Sequence, residues 1–486
     1  MKFLFDTNII ISAEPISRDD VEAQTANVAQ LVGLIGQLDS TSYIHPASLV
    51  EIRRDTNKER SNIRRQLLAK YLRLESPPPI TAGMTSVLGE PKPNSHDAID
   101  MLILAALVGN AVDFLVTEDN GIHRRAARLN LANRVLTVGD ALVTVRGFLP
   151  KLVQTPPAVE QVKCYQLQKT DPIFNALRED YSGFDDWLER CQKEHRPAFL
   201  ISNGTRHAAL SIVKDEASND VGLSGTALKI CTFKVAETDS GFRYGELLLR
   251  ALFDYIHAKR IPQTYLTCYP KQASLIRFLQ RFGFSEQGER DNGELIFVKR
   301  FFPSERERDE TTPLEFHRQY GPYQIKTEDV EKFVIPIQPK YHKILFPNLE
   351  DQLNLFAGSD ACGNSILKAY LCNAVMRDLP PGSIVLFYRS QDASCIQAVG
   401  VVEGCLRSTS AEEIIRFVGQ RTVYSLAEIE AMCAKETLAI LFRYAKKIPS
   451  VSLSELIENK ALLGHPQQIV RIKQDANQWI RSKIEL

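Results

Sequence analysis

Short apolar runs that stop at an acid, each followed by a stretch with apolar residues three or four apart, set the pattern of the first 150 residues. Phe3 to Phe5 reads as a buried strand ended by Asp6-Thr7-Asn8, and Ile9 to Ile11 open a helix. Val21 to Gln37, apolar at 21, 28, 31, 32, 34 and 35, predicts a packing helix; Ser42 to His45 predicts a strand, and Pro46 starts another helix. Glu75 to Asn94, with Pro77, Pro78, Pro79, Gly83, Pro91 and Pro93, predicts an irregular connection. His96 to Leu107 is an apolar helix by pattern, and Ala111 to Thr117 a buried strand broken by Glu118-Asp119-Asn120-Gly121.

The pattern changes after a Pro-bearing linker, Val153 to Val162. Phe184 to Cys191 predicts a helix, Pro197 to Ser202 and Arg206 to Val213 predict strands, and Ala227 to Val235 alternates toward a long strand. That strand feeds Gly241-Phe-Arg-Tyr-Gly-Glu246 and an apolar helix, Leu247 to Ile256, a layout suited to cradling a pyrophosphate. A strand from Gln263 to Tyr269, a helix from Gln272 ending in Phe282-Gly-Phe284, and a strand from Gly293 to Lys299 complete the region. Ser304 to Glu310 reads as a solvated, mixed-charge junction. Beyond it come Phe333 to Ile337, Tyr341 to Phe346 and a helix around Ile366 to Val375. Pro380 to Arg389 and Ile396 to Glu403 form a hairpin across Ser390 to Cys395, and short strands with interspersed helices predict a small mixed barrel.

A chain of 486 residues exceeds one core, and the pattern divides it into three parts: 1–150, 155–305 and 306–486. The 59 basic and 59 acidic residues cancel, so attraction for nucleic acid has to come from local patches. Nine scattered cysteines without a C-x-x-C pair argue against a disulfide framework or zinc ribbon and fit a reducing cytoplasm. With no membrane-length apolar run and no signal-peptide pattern, the expectation is a cytoplasmic protein without a membrane partner.

The acids at the element edges carry the candidate chemistry. Asp6 falls at the carboxyl end of a strand, where α/β sheets hold their sites, although Asp or Asn before a helix is also an ordinary N-cap. Glu51 has the S-x-x-E spacing to Ser48 of a capping box, which is its structural alternative. Asp97 and Asp100 share a helix face, and Asp119 repeats the setting of Asp6. Converging carboxylates repel, and one or two hard divalent cations, Mg²⁺ or Mn²⁺, are the natural remedy. Basic stretches adjoin these acids: Arg53 and Arg54 begin one, Arg124 and Arg125 another. Either is a solvated face or a strip for an RNA backbone.

Three resemblances follow. Phe5-Asp-Thr-Asn8, Glu51 after S-L-V, D-M-L-I-L-A-A from Asp100 and V-T-E-D ending at Asp119 resemble the PIN-domain ribonucleases. That resemblance implies a parallel α/β sheet and a metal-dependent endoribonuclease. Its catalytic, metal-holding quartet would be Asp6, Glu51, Asp100 and Asp119, with Asp97 as a fifth acid and Thr7, Asn8 and Thr117 in support. It also implies RNA, with tRNA as a reasonable substrate class, toxin behaviour checked by an antitoxin or used in phage defence, and a tendency to homodimers.

The strand, glycine-bearing loop and helix from Ala227 onward resemble the GNAT acetyltransferases, implying a mixed α/β sheet and acetyl-coenzyme A held by Val235 and by Phe242, Arg243, Tyr244, Gly245 and Glu246. Arg243 replaces a usual glycine, and Leu279 stands where that family often has a tyrosine acid. The runs G-N-S-I-L-K-A-Y from Gly363, P-G-S-I-V-L-F-Y-R ending at Arg389 and G-H-P-Q-Q-I from Gly464 resemble PUA-like ASCH domains, implying a small β-barrel with helices that binds RNA. Lys368, Tyr370, Tyr388 and Arg389 would line its cleft, unless the tyrosines are core residues with satisfied hydroxyls. The expected whole is an α/β multidomain protein that cleaves RNA. The alternative is an acetyltransferase acting on an RNA-linked or protein amine, with the outer parts gripping RNA.

Overall fold

A computed structural model describes residues 1–13, 24–38, 40–53, 61, 63–64, 68, 71–93, 95–149, 157–204, 206–349, 361–376 and 378–485. The chain divides into two compact units, Met1–Lys151 with Ser408–Ala434, and Leu152–Arg407 with Lys435–Leu486.

In the first unit, β1 (Lys2–Phe5), β2 (Thr41–Ile44), β3 (Leu72–Arg73), β4 (Phe114–Val116) and β5 (Val135–Leu136) form a parallel sheet in the order β3-β2-β1-β4-β5. The chain winds outward from β1 in one direction to β3, then returns to β4 on its other side. The switch point, and the crevice that goes with it, lies at the carboxyl ends of β1 and β4. Leu4 and Leu115 bury against Ile103, Leu104, Leu107 and Ile122, which explains the near-continuous apolar strands. The helices Thr7–Ala13, Pro46–Arg53 and His96–Val108 stand where the pattern predicts them, and the basic stretch after Asp119 forms a further helix, Asn120–Arg128.

Three features differ from expectation. The helix predicted from Val21 is described from Thr25 to Gln37, and Val21 lies outside the described residues. The Pro-rich connection contains a helix, Ala82–Leu88, because Thr81 accepts from Met84 N and Gly89, at φ 89°, ends it. Finally, Ser408–Ala434, expected in the third region, belongs to this unit through the helices Ala411–Val418 and Leu426–Cys433. Arg416 Nε donates to Asp113 Oδ1 at 2.8 Å, while Asp113 Oδ2 accepts from Lys2 N.

The second unit holds two sheets. Seven strands, β6 (Glu160–Lys163), β7 (Pro197–Asn203), β8 (Arg206–Glu216), β9 (Ala227–Val235), β10 (Gln263–Cys268), β11 (Ser285–Glu289) and β12 (Leu295–Arg300), run in the order β11-β12-β10-β9-β8-β7-β6. β6 occupies part of the expected linker, of which Val153 to Pro156 lie outside the described residues. The parallel pair β9 and β10 is in register only at Leu228 with Thr264 and Lys229 with Tyr265, and then the strands part.

The other sheet comprises β13 (Lys332–Ile337), β14 (Leu367–Cys372), β15 (Ile384–Arg389), β16 (Cys395–Ser408), β17 (Thr437–Ser452) and β18 (Val470–Arg471), ordered β14-β17-β16-β15-β13-β18. The hairpin forms as β15 and β16. The helix expected at Ile366 to Val375 is instead β14, buried along nearly its whole length on both faces, so its apolar run carries no strand alternation. The mixed-charge junction is a helix, Glu305–Glu310, started by a capping box between Ser304 and Glu307.

Candidate functional site

Four acids gather at the carboxyl edge of β1 and β4. Asp6, only 6% exposed, accepts from Thr7 N at 2.7 Å, Asn8 Nδ2 at 2.9 Å and Thr117 Oγ1 at 2.6 Å. The same threonine oxygen accepts from Asp119 N, joining the exits of the two strands. Thr7 Oγ1 donates to Glu51 Oε2 at 2.7 Å, and His96 Nδ1 lies 3.0 Å from Glu51 Oε1. Glu51 is therefore not a capping partner of Ser48: its helix begins at Pro46, which leaves Ser48 within the first turn, and the carboxylate turns toward β1. Asp119 does cap, accepting from Ile122 N at 2.8 Å. Sequence reasoning passed over His96, whose ring stands beside Glu51 on the mouth of the crevice.

Burial dominates the electrostatics of the cluster. Burial, with the carboxylates of Glu51 and Asp119 behind it, pushes Asp6 up to about 6 despite the hydrogen bonds from Thr117 and Thr7. Burial likewise pushes Asp100 up to about 6; Arg125 opposes the shift, and Asp119, Asp6 and Asp97 add to it. Asp97 is exposed and pairs with Arg125. Among the described residues, no group of three or more His, Cys, Asp or Glu side chains is arranged to hold one metal ion; Arg125 occupies Asp100 and Asp97 of the expected set Asp6, Glu51, Asp97, Asp100 and Asp119. Arg125, expected to meet RNA, turns inward, with Nη1 2.7 Å from Asp100 Oδ2. Arg124 is exposed; Arg54, and the side chain of Arg53, lie outside the described residues.

The loop between β9 and the helix Tyr244–Ala258 keeps left-handed turns at Gly241 (φ 91°) and Arg243 (φ 57°). Its charged side chains pair with each other. Arg243 Nη1 pairs with Glu246 Oε1, and Glu246 Oε2 accepts from Ser365 Oγ at 2.9 Å and Ile366 N at 2.8 Å, sealing both charges from solvent. Asn364 Nδ2 donates to Phe242 O at 3.0 Å, and the Phe242 and Tyr244 rings stack at 5.6 Å. Val235 and Phe278 flank Gly245. In the fork where β9 and β10 part lies a cavity of about 420 Å³, with Tyr181, Trp187, Thr232, Thr267 and the buried Glu216 and Glu294 in its walls. None of these was singled out from sequence, because each is a solitary polar or aromatic residue in an ordinary strand, helix or turn.

In the third sheet, Tyr370 and Tyr388 line a cavity of about 500 Å³ with Gln338, Asn373, His465 and Gln467. Tyr370 donates to Pro336 O at 3.0 Å, and Tyr388 Oη lies 3.1 Å from His465 Nδ1. Lys368 is not in this cleft: it is fully buried and donates to Gly363 O. Arg389 is held by Asp392, at 2.8 Å from Nε, outside the cavity wall. The wall carries no Asp, Glu, Lys or Arg among its described residues.

No family model matches the chain, and no curated protein matches it. Solved structures similar to it include the ASCH protein of Zymomonas mobilis, 13% identical over 31% of this chain and 94% of that one, at a TM-score of 0.25. PaiA N-acetyltransferase from Thermoplasma acidophilum, solved with coenzyme A, is 16% identical over 26% of this chain and 75% of that one, at 0.21. A GNAT-family acetyltransferase from Listeria monocytogenes is 16% identical over 25% and 71%, at 0.20. These neighbours have ASCH and GNAT folds, and the chain is a mixed α/β multidomain protein. Among the described residues no helix is long and apolar enough to cross a membrane.

Proposed function

We propose that the first unit is a metal-dependent endoribonuclease with Asp6, Glu51, Asp100 and Asp119 as its catalytic and metal-holding groups. One observation carries the reading: Asp6, Glu51, Asp100 and Asp119 come together at the switch point of a parallel sheet, where burial, with the neighbouring carboxylates adding to it, raises Asp6 and Asp100. The all-oxygen donor set suits a hard divalent cation, Mg²⁺ or Mn²⁺, once the Arg125 contact to Asp100 is released. When bound, such an ion supplies Lewis acidity and lowers the pKa of water. Thr117 and Asn8 fix the Asp6 carboxylate, Thr7 and His96 fix Glu51, and Asp119 is fixed by the turn it caps. Hydrolysis would leave 5′-phosphate and 3′-hydroxyl ends. The uncharged cavity of Tyr370 and Tyr388 suits the hydrogen-bonding edge and face of a base, so RNA selection, with tRNA as one class, falls to the third sheet. An antitoxin that covers the acidic crevice belongs to this reading.

The test is total RNA incubated with the full chain, with Mn²⁺ against EDTA and with Asp6→Asn alongside. Cleavage should need the metal and fall by at least ~100-fold in the variant. Persistent cleavage by Asp6→Asn would sink the assignment. A second reading, N-acetylation of an RNA-linked or protein amine, is favoured by the fork cavity with its two buried carboxylates. In the loop after β9, Arg243 and Glu246 pair with each other, so no step is assigned to the coenzyme.

A further inference from the structure

The acidic crevice already contains a cation. Arg125 Nη1 donates to Asp100 Oδ2 at 2.7 Å, and Nη2 reaches Asp97 Oδ1. The planar fork of a guanidinium can hold two carboxylates at once, which an ammonium holds poorly. The guanidinium also lies close to the cap of its own helix. A Cβ built at Gly121 would stand 2.8 Å from Asp119 Oδ1 and 3.1 Å from Arg125 Nη1, so the approach of that carboxylate and that cation depends on a residue without a side chain. The helix that Asp97 opens is already capped by Ser95, which accepts from Ala98 N, and the Asp97 side chain is 64% exposed.

We infer that Arg125 is a resident counter-cation of the cluster and that Asp97 is its holding point. In the metal-free protein the guanidinium bridges Asp97 and Asp100. A divalent cation must take Asp100 from it, and the freed arginine stays beside the crevice on Asp97, where the backbone of a bound nucleic acid would pass. This rests on the nuclease reading of the same acids. The arrangement lowers metal affinity, because the ion displaces a charge instead of entering an empty site. It also makes Arg125 a positioning residue and not a metal-dependent one.

Mn²⁺ titrated calorimetrically into the full chain at pH 7.5, with thermal melts in EDTA and in saturating Mn²⁺, tests the inference. Arg125→Gln should bind Mn²⁺ about tenfold more tightly than the wild type, in the usual range for two linked sites. It should melt below the wild type in EDTA and together with it in Mn²⁺, whereas a purely structural arginine would leave the same deficit in both. Wild-type binding with equal or weaker binding by Arg125→Gln overturns the inference and leaves the nuclease reading standing. Folded wild-type and variant proteins that both fail to bind Mn²⁺ overturn the two together. Should Arg125→Gln not fold, Arg125→Lys keeps the charge without the fork. It should bind Mn²⁺ more tightly than wild type by a smaller factor, and equal or weaker binding overturns the inference.

Discussion

Two strand-to-helix turns in this chain are candidate sites by sequence, and they differ in what happens to their charge. After β1, Asp6-Thr7-Asn8 opens onto a crevice where four carboxylates meet and Arg125 pairs with Asp100 alone among them, and burial and repulsion hold Asp6 and Asp100 near 6. After β9, Gly241 to Glu246 contributes one cation and one anion, which pair with each other and are sealed by Ser365 and Ile366. The second turn has been made into an internal fastening between the two sheets of its unit. Charge that is left unbalanced near solvent marks a place built to receive something; charge that is neutralised and buried marks a joint.

The contrast can be broken most directly at Glu246. Its replacement by Ala removes the carboxylate that Arg243, Ser365 and Ile366 share, and should cost about 3–5 kcal/mol of the second unit's stability in urea unfolding, the usual loss when a buried pair is halved. A neutral result would put the loop back among functional candidates.

The acidic turn should behave in the opposite sense. Asp6 and Asp100 hold protons up to about 6 in the folded chain against an ordinary 3.8, so the folded state binds more protons than the unfolded one between those values. In EDTA, stability should therefore fall as pH rises through that window, by about 2–3 kcal/mol for each group, and level off above pH 7. Asp100→Asn should remove roughly half of the slope. A flat melting profile from pH 4 to 7 would mean the cluster is balanced after all. At the small end, Asp97→Asn should change the melt by no more than about 0.5 kcal/mol, because an exposed partner contributes little to folding whatever it does for Arg125.

The parallel sheet and its acids were legible because each acid interrupts an apolar run, a local signal. The partners of those acids were not. Glu51 has the spacing of a capping box, and only the start of its helix at Pro46 shows that it faces Thr7. Arg124 and Arg125 read alike, yet helical phase sends one outward and the other onto Asp100. β14 was taken for a helix because a strand covered on both faces has no alternation to display. Lys368, within that strand, is expected in the cleft and is instead buried on Gly363 O. The G-H-P-Q-Q-I run was noticed, but which of its side chains face Tyr388 depends on a fold distant in sequence.

The excursion of Ser408–Ala434 out of the β16–β17 connection has a consequence for the order of synthesis. Chains emerge amino terminus first, at ~5–20 residues per second, and a self-contained leading domain can finish folding early. Here the leading unit lacks its last two helices until residue 434 of 486 has been made. Its completion is deferred by roughly a quarter to a whole minute of translation. The acidic crevice is thus made well before the unit that contains it can close.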